Sequence, residues 1–394
     1  YGANNSFLMT VNGGSLTITD ESPEKSGSIK ATDPNHGYGI QLKGTNSHFT
    51  LLAGTIETTQ ETVDIYDSVQ NVSINISGGK LVSTDDNVLG VRGNRNITVD
   101  ITGGEMVSNG RTGVYISSYA EPSPISFTMT GGTLSHTNGM SGAIQAYKGV
   151  ELTIGGDAVI ESASSYGIQA QENTVLNVDG GAIRSTSNSS SISCAGNSTV
   201  NITGGTVETN SSWAAAVRAS DNSKVSVSDG KIIGSKALDG AKENITVTGG
   251  KFTSKVDEQY LEEGLTQGQD GTVGKQDDVS VAELWRNGEQ ISRHLTLEEA
   301  LENAQNNDTV MLVAGKEISL TNRVEISGKV LTLDLNGSTI KAGSGFQKNQ
   351  IIYVKADGNL TIMDSSADQS GVVSGATYAL YLEGAGTTVV VQGG

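Results

Sequence analysis

This 394-residue chain has one cysteine, four prolines, five phenylalanines and two tryptophans. Each shortage excludes something. A lone Cys194 cannot close an intrachain disulfide, so this is no disulfide framework. Few prolines leave almost every backbone N–H free to donate, as long β-ladders require. With aromatics at 5%, the core has to be aliphatic. Basic residues are also scarce: 25 Lys and Arg against 43 Asp and Glu give a net charge of −18 and a pI near 4.6. That balance argues against nucleic-acid and anionic-membrane partners, which need basic surfaces. No run is apolar enough to span a bilayer, so direct membrane insertion is not expected. A signal peptide is missing too. The chain starts and ends inside repeats, however, and reads as an excerpt of something larger, so that absence carries no weight.

Glycine is plentiful, at 51 residues, and it is placed periodically. A phrase of the form apolar–x–apolar–Ser/Thr–Gly–Gly–x–apolar recurs, as in Val72-Ser-Ile-Asn-Ile-Ser-Gly-Gly-Lys-Leu81 and Val99-Asp-Ile-Thr-Gly-Gly-Glu-Met106. Its second glycine falls at 54, 79, 104, 132, 156, 181, 205, 230 and 250, mostly 24 or 25 residues apart. A constant period of this size marks a solenoid. Residues 199–220 show why. Val200 and Ile202 alternate with Asn201, Gly204-Gly205 interrupts the strand, Val207 resumes it, and Ala216, Val217 and Ala219 form a third run after a polar bend. Glycine fits such a turn because it accepts positive φ without steric cost. Three short strands and three bends make one coil of a right-handed parallel β-helix of about 25 residues per rung, with inward and outward side chains alternating. Cys194 takes the inward place that Leu42, Ile116, Ala146 and Ala170 hold in other rungs, and reads as a small buried hydrophobe.

The glycine period stops near Phe252. An acidic, turn-rich segment follows and is expected to cap the open end of the first helix, since solenoid ends need shielding. In Leu295-Thr-Leu-Glu-Glu-Ala-Leu-Glu-Asn-Ala304, Thr296 and Glu299 form a capping box, and Leu297, Ala300, Leu301 and Ala304 share a helical face. Strand patterns then return. Ser15-Leu-Thr-Ile-Thr-Asp pairs with Asn359-Leu-Thr-Ile-Met-Asp, and Tyr38-Gly-Ile-Gln-Leu with Tyr378-Ala-Leu-Tyr-Leu, so the two ends look like parts of related modules. The expected division is 1–252 for the back of one β-helix, 253–294 for a cap and junction, and 295–394 for a capping helix and the first rungs of a second.

The run Phe252…Tyr260-Leu-Glu-Glu-Gly…Asp270-Gly-Thr-Val, then Leu297-Glu-Glu-Ala-Leu…Asp308-Thr-Val…Leu331-Thr-Leu-Asp-Leu-Asn-Gly, resembles the tandem pectate-lyase-like β-helix modules of large surface proteins of Gram-positive, gut-type bacteria. The resemblance implies a secreted or wall-anchored protein, extracellular, acting as an adhesin. Its implied partners are host glycans or glycoproteins, mucins and immunoglobulins among them.

The same fold hosts polysaccharide lyases and glycoside hydrolases, so the fold does not decide for or against catalysis. The chain has no Gly-His-Gly, and His36, His48, His136 and His294 are scattered, three of them reading as solvated turn residues. Asp85-Asp86 could do acid/base work, yet Ser83-Thr-Asp-Asp-Asn is also an ordinary polar bend. A calcium column would need carboxylates on adjacent rungs, and Asp64 is followed by Gly90. No His/Cys metal spacing is present. The expectation is therefore no catalytic residue, no metal and no cofactor. The Asn-x-Ser/Thr triplets at Asn75, Asn96, Asn201 and Asn244 are by-products of the repeat.

Aligned third strands expose two outward columns. One runs Gln41, Asp64, Gly90, Tyr115, Gln145, Gln169, Ser193, Arg218; its neighbour includes Lys43, Tyr66, Arg92, Ser117 and Tyr147. Trp213 precedes the same strand in its rung. Strands favour tyrosine, and outward positions are polar in any case. Even so, flat aromatic area with amide and guanidinium neighbours suits saccharide or protein contact. The candidate binding residues are Tyr66, Arg92, Tyr115, Gln145, Tyr147, Gln169, Trp213 and Arg218. The expected function is a non-catalytic adhesin presenting this face. The alternatives are a carbohydrate-active enzyme and a passive spacer.

Overall fold

A computed structural model describes residues 7–393 apart from 35, 66–68, 94, 120–124 and 140. It is an all-β parallel solenoid that divides into two compact units, Tyr1–Glu262 and Glu263–Gly394. Among the described residues, no helix is long and apolar enough to cross a membrane.

In the first unit the third strands of successive coils form one ten-stranded parallel sheet, from Phe7–Val11 to Leu238–Asp239. The first and second strands merge into a sixteen-stranded sheet. The inward rows are aliphatic ladders: Val91, Ile116, Ala146, Ala170, Cys194 and Ala219 stand in register along the third-strand sheet. All are buried, and full burial of each larger aliphatic contributes about 1.5–3 kcal/mol. Cys194 is a buried hydrophobe, as its place in the row predicts, and burial pushes its thiol up to about 11.

The Gly-Gly pairs do not always break the strand. Residues Arg95–Ser108, Ile125–His136, Thr199–Thr209 and Lys224–Ile233 each run through their glycine turn as a single strand. The register shifts on both sides of Thr102, so the turn is a bulge that bends the ladder without ending it. The second glycines sit at positive φ, +86° at Gly104 and +74° at Gly205. They also stack: a Cβ at Gly205 would stand 2.4 Å from the carbonyl oxygen of Gly180. Two requirements, conformation and close approach, thus hold glycine at this place in the coils from Gly79 to Gly230.

Two histidines depart from expectation. His36 is exposed and His48 half-buried, but His136 and His294 are buried. His136 ends the strand Ile125–His136 with its side chain inward, its Nδ1 hydrogen-bonded with Ser162 Oγ at 3.1 Å, and burial lowers its pKa. It is a polar member of the inward row, not a solvated turn residue.

The segment 253–294 is shared between the units. Its first part closes the last coil of the first unit: Leu261 bridges to Val247, and the buried Tyr260 donates its hydroxyl to the Gly240 carbonyl at 2.6 Å. From Glu263 onward the chain belongs to the second unit. There an antiparallel hairpin, Ala282–Arg286 with Glu289–His294, extends the sheet begun by Asp308–Leu312. Leu297–Asn303 is helical as the sequence predicts, with Thr296 Oγ1 accepting from Glu299 N–H at 3.1 Å and Leu297, Ala300 and Leu301 buried. Two three-stranded parallel sheets join the hairpin's sheet as the second and third of the coil, the third built from Val324–Ser327, Gln350–Lys355 and Tyr378–Glu383.

Candidate functional site

The ten-stranded sheet puts the first outward column in unbroken register: Gln41, Asp64, Gly90, Tyr115, Gln145, Gln169, Ser193, Arg218. In the second column Arg92, Ser117 and Tyr147 are neighbours. Tyr66 lies outside the described residues.

At the centre of this face is a charge cluster. Arg92 Nη1 donates to Asp64 Oδ1 at 2.8 Å and to Glu61 Oε2 at 3.3 Å, while its Nη2 donates to Glu61 Oε1 at 3.1 Å. Asn87 Nδ2 adds a hydrogen bond of 2.9 Å to Glu61 Oε1. Gln41 is hydrogen-bonded to Asp64, and the two carboxyls are hydrogen-bonded to each other. The side chains of Glu61 and Asp64 are 1% and 5% exposed, and Arg92 covers them at 11%. Burial, reinforced by the Glu61 charge, pushes Asp64 up to about 8 despite Arg92. A carboxyl hydrogen-bonded to a carboxylate holds a proton because two like charges cannot both ionise at contact. Arg92 supplies the one positive charge that both carboxyls meet.

Gly90 makes this possible. A Cβ there would stand 1.9 Å from Glu61 Oε1 and 2.7 Å from Arg92 Nη1. The apparent gap in the carboxylate column is where the Glu61 carboxyl lies. Glu61 and Asn87 are functional neighbours that the strand alignment missed, because both come from bends just before their strands. A glycine on an outward strand row beside Asp64 and Arg92 is the one signal of them in the sequence.

Two aromatic rings continue the face. Arg92 lies over the Tyr115 ring, 5.0 Å from its centroid. Tyr115 and Tyr147 pack with centroids 5.8 Å apart and planes tilted by 41°. Both are half-buried, leaving part of each ring open. Burial, then the Tyr115 neighbour, raises the pKa of the Tyr147 hydroxyl, which therefore stays a donor. Gln145 Nε2 donates to Gln169 Oε1 at 2.6 Å, so the amides form a ladder. The structure thus brings Arg92, Tyr115, Gln145, Tyr147 and Gln169 together.

Trp213 and Arg218 stand apart from this group. Their strand lies three places beyond that of Tyr147 in the sheet, roughly 14 Å at the usual inter-strand spacing. Trp213 is 85% exposed, on a bend held by Ser211 Oγ, which accepts from the N–H groups of Trp213 and Ala214. Of the carboxylate pair in the bend at 85–86, Asp85 is exposed and Asp86 half-buried, with burial and then Glu61 raising the Asp86 pKa.

No protein-family model matches the chain, and no curated protein and no solved structure is similar to it.

Proposed function

We propose that this chain is a non-catalytic binding module of a bacterial cell-surface adhesin, and that its third-strand face holds a neutral glycan chain such as a mucin carries. The observation that carries this reading is the Tyr115–Tyr147 pair seated beside two carboxyls that Arg92 covers. Flat rings with polar rims stack against the apolar faces of sugars. The Gln145–Gln169 ladder offers hydrogen bonds beside them. The net charge of −18 repels acidic polymers, which favours neutral saccharides over sialylated or sulfated ones. The surface placement rests on the resemblance of the junction and helix motifs to Gram-positive surface modules. The solenoid contributes rigidity: each strand is hydrogen-bonded on both sides, so little ordering entropy is lost when a ligand docks.

The test is binding to an array of neutral glycans, desialylated mucin and immunoglobulin, with Tyr115→Ala/Tyr147→Ala as the control. Binding of wild type and loss in the variant support the reading. Equal binding by both moves the site off this face, and silence of the wild type towards every probe leaves the spacer.

A hydrolytic reading draws on one observation, the Asp64 and Glu61 carboxyls buried side by side under one guanidinium. Such pairs serve acid/base catalysis of glycoside cleavage. Here both carboxyls lie under Arg92, so a substrate reaches them only if the guanidinium moves away. Release of reducing ends from a polysaccharide panel, abolished by Asp64→Asn, is the result that would turn the reading to catalysis.

A further inference from the structure

We infer that the second unit carries a second saccharide-binding face, built from Tyr378, Tyr381, Tyr353, Arg323, Glu325 and Gln350, that takes the same neutral glycan chain as the first. The inference rests on the reading proposed above, but different residues carry it.

The third sheet of the second unit sets Glu325, Tyr353 and Tyr381 in one outward row, with Ser327, Lys355 and Glu383 in the next and Gln350 in register with Tyr378. The Tyr353 and Tyr381 centroids are 5.9 Å apart with planes tilted by 40°. Those values nearly repeat the 5.8 Å and 41° of Tyr115 and Tyr147. An arginine again lies over the first ring: the Arg323 guanidinium is 4.0 Å from the Tyr353 centroid, as Arg92 is 5.0 Å from that of Tyr115. A glutamate again holds the arginine, with Arg323 Nη2 2.7 Å from Glu325 Oε1. A glutamine again flanks the rings, its Gln350 Oε1 accepting from Arg323 Nη1 at 3.1 Å. The likeness of Tyr38-Gly-Ile-Gln-Leu to Tyr378-Ala-Leu-Tyr-Leu places both arrangements on the same strand of the coil. The ladder register differs, Tyr353 facing Tyr381 directly where Tyr115 faces Gln145 and Tyr147 faces Ser117, but an arginine over a tyrosine with a second ring beside it recurs in both units.

A third ring extends the second face. Tyr353 is covered, 7% exposed beneath Arg323, with the Lys355 ammonium 5.3 Å from its centroid. Tyr381 and Tyr378 share the strand Tyr378–Glu383, with centroids 5.6 Å apart and planes tilted by 57°. Tyr353 thus braces Tyr381, and the rings of Tyr381 and Tyr378 make the platform. Its charges cancel. Glu325 pairs with both Arg323 and Lys355, and Glu383 neighbours Lys355 in the row. A neutral sugar ring is the occupant that such a platform favours, because stacking needs apolar area and no charge is left to attract an ion.

Two faces for one polymer make the binding multivalent. Each chain then has two binding events available on a mucin that carries many such glycans. The experiment uses the whole chain in three forms: wild type, Tyr378→Ala/Tyr381→Ala and Tyr115→Ala/Tyr147→Ala. Each is measured against immobilised desialylated gastric mucin and titrated with the neutral oligosaccharides released from that mucin. Tyr381→Phe, which keeps the ring, and a melting curve for each form guard against loss of fold. The expected result is a stoichiometry for the released oligosaccharides of about two per chain in wild type and about one in either double variant, and a loss of mucin avidity of roughly tenfold or more in each. Wild-type stoichiometry and avidity in Tyr378→Ala/Tyr381→Ala, together with silence of Tyr115→Ala/Tyr147→Ala, overturn the second face and leave the first intact. No binding by any form overturns both.

Discussion

The two arginine–tyrosine faces share their ring contacts, though not their ladder register, and stand on different electrostatic foundations. Arg92 closes over two buried carboxyls, whereas Arg323 meets Glu325 near the surface, with side chains 22% and 38% exposed. Ring positions alone therefore do not require a buried ion cluster. The first unit has one because Gly90 opens room on the sheet for a side chain from a bend. The second has Tyr353 covering its sheet instead. The same arrangement is thus rigid by burial in one unit and by salt-bridged neighbours in the other.

The contrast is open to attack, and the strongest attack is removal of the arginines. Arg92→Met leaves two carboxyls buried without their counter-charge and is expected to cost about 3–5 kcal/mol. Arg323→Met breaks a solvent-screened pair and is expected to cost under about 1 kcal/mol. Equal losses in chemical denaturation, followed by signals specific to each unit, would show that burial does not distinguish the two faces. Next in size is Gly90→Ala. The new methyl displaces Glu61 from a packed cluster, at an expected cost of about 1–3 kcal/mol. A substitution without effect on the melting temperature would mean that Glu61 does not lie where Arg92 and Asn87 hold it.

A subtler test uses pH, because the two faces carry carboxyls shifted in opposite directions. Folded Asp64 keeps its proton up to about pH 8, whereas an ordinary aspartate loses it near 3.8. Ionisation of Asp64 therefore favours the unfolded chain. Its contribution is fully present below about pH 4 and is lost as pH rises towards about 8. Asp64→Asn, which mimics the protonated form, is expected to gain on wild type across that window and level off above it. Glu325 is held below its ordinary 4.5 by hydrogen bonds from Lys355 and Arg323. Its smaller contribution is present above pH 4.5 and is lost as the solution is acidified through its lowered value. Glu325→Gln should therefore lose stability only on the neutral side, and by the small amount that an exposed pair allows. Melting curves from pH 3 to 9 for both variants check the signs; slopes in the same direction for the two would end the comparison.

Much of this molecule is legible in its residues. The glycine spacing marks the coils, the Val, Ile and Leu alternation marks the inward rows, and Thr296 with Glu299 marks the start of the helix. The outward columns align by hand into the register that the ladders adopt, and Tyr115, Tyr147, Gln145 and Gln169 follow from them. The buried cluster does not. Asp64 followed by Gly90 looks like a broken column, because the carboxyl that fills the gap belongs to Glu61, outside any strand. Nor is the second face legible in the same way. Its rungs vary in length, with Leu331 standing between Asp308 and Leu360 in the ladder, so the period of the first unit does not carry across to Tyr353 and Tyr381.

What the sequence determined by itself is the coil and its stacking, because those depend on local preferences repeated at a constant period: where glycine must turn, where apolar side chains alternate, where a threonine caps a helix. What only the tertiary structure decided is which side chains from different coils meet. Glu61 over Gly90, its burial with Asp64 under Arg92 and the arginines lying on their tyrosines depend on the reach of bend residues across neighbouring strands, and that reach is set by the spacing of the stack and not by any neighbour in the chain.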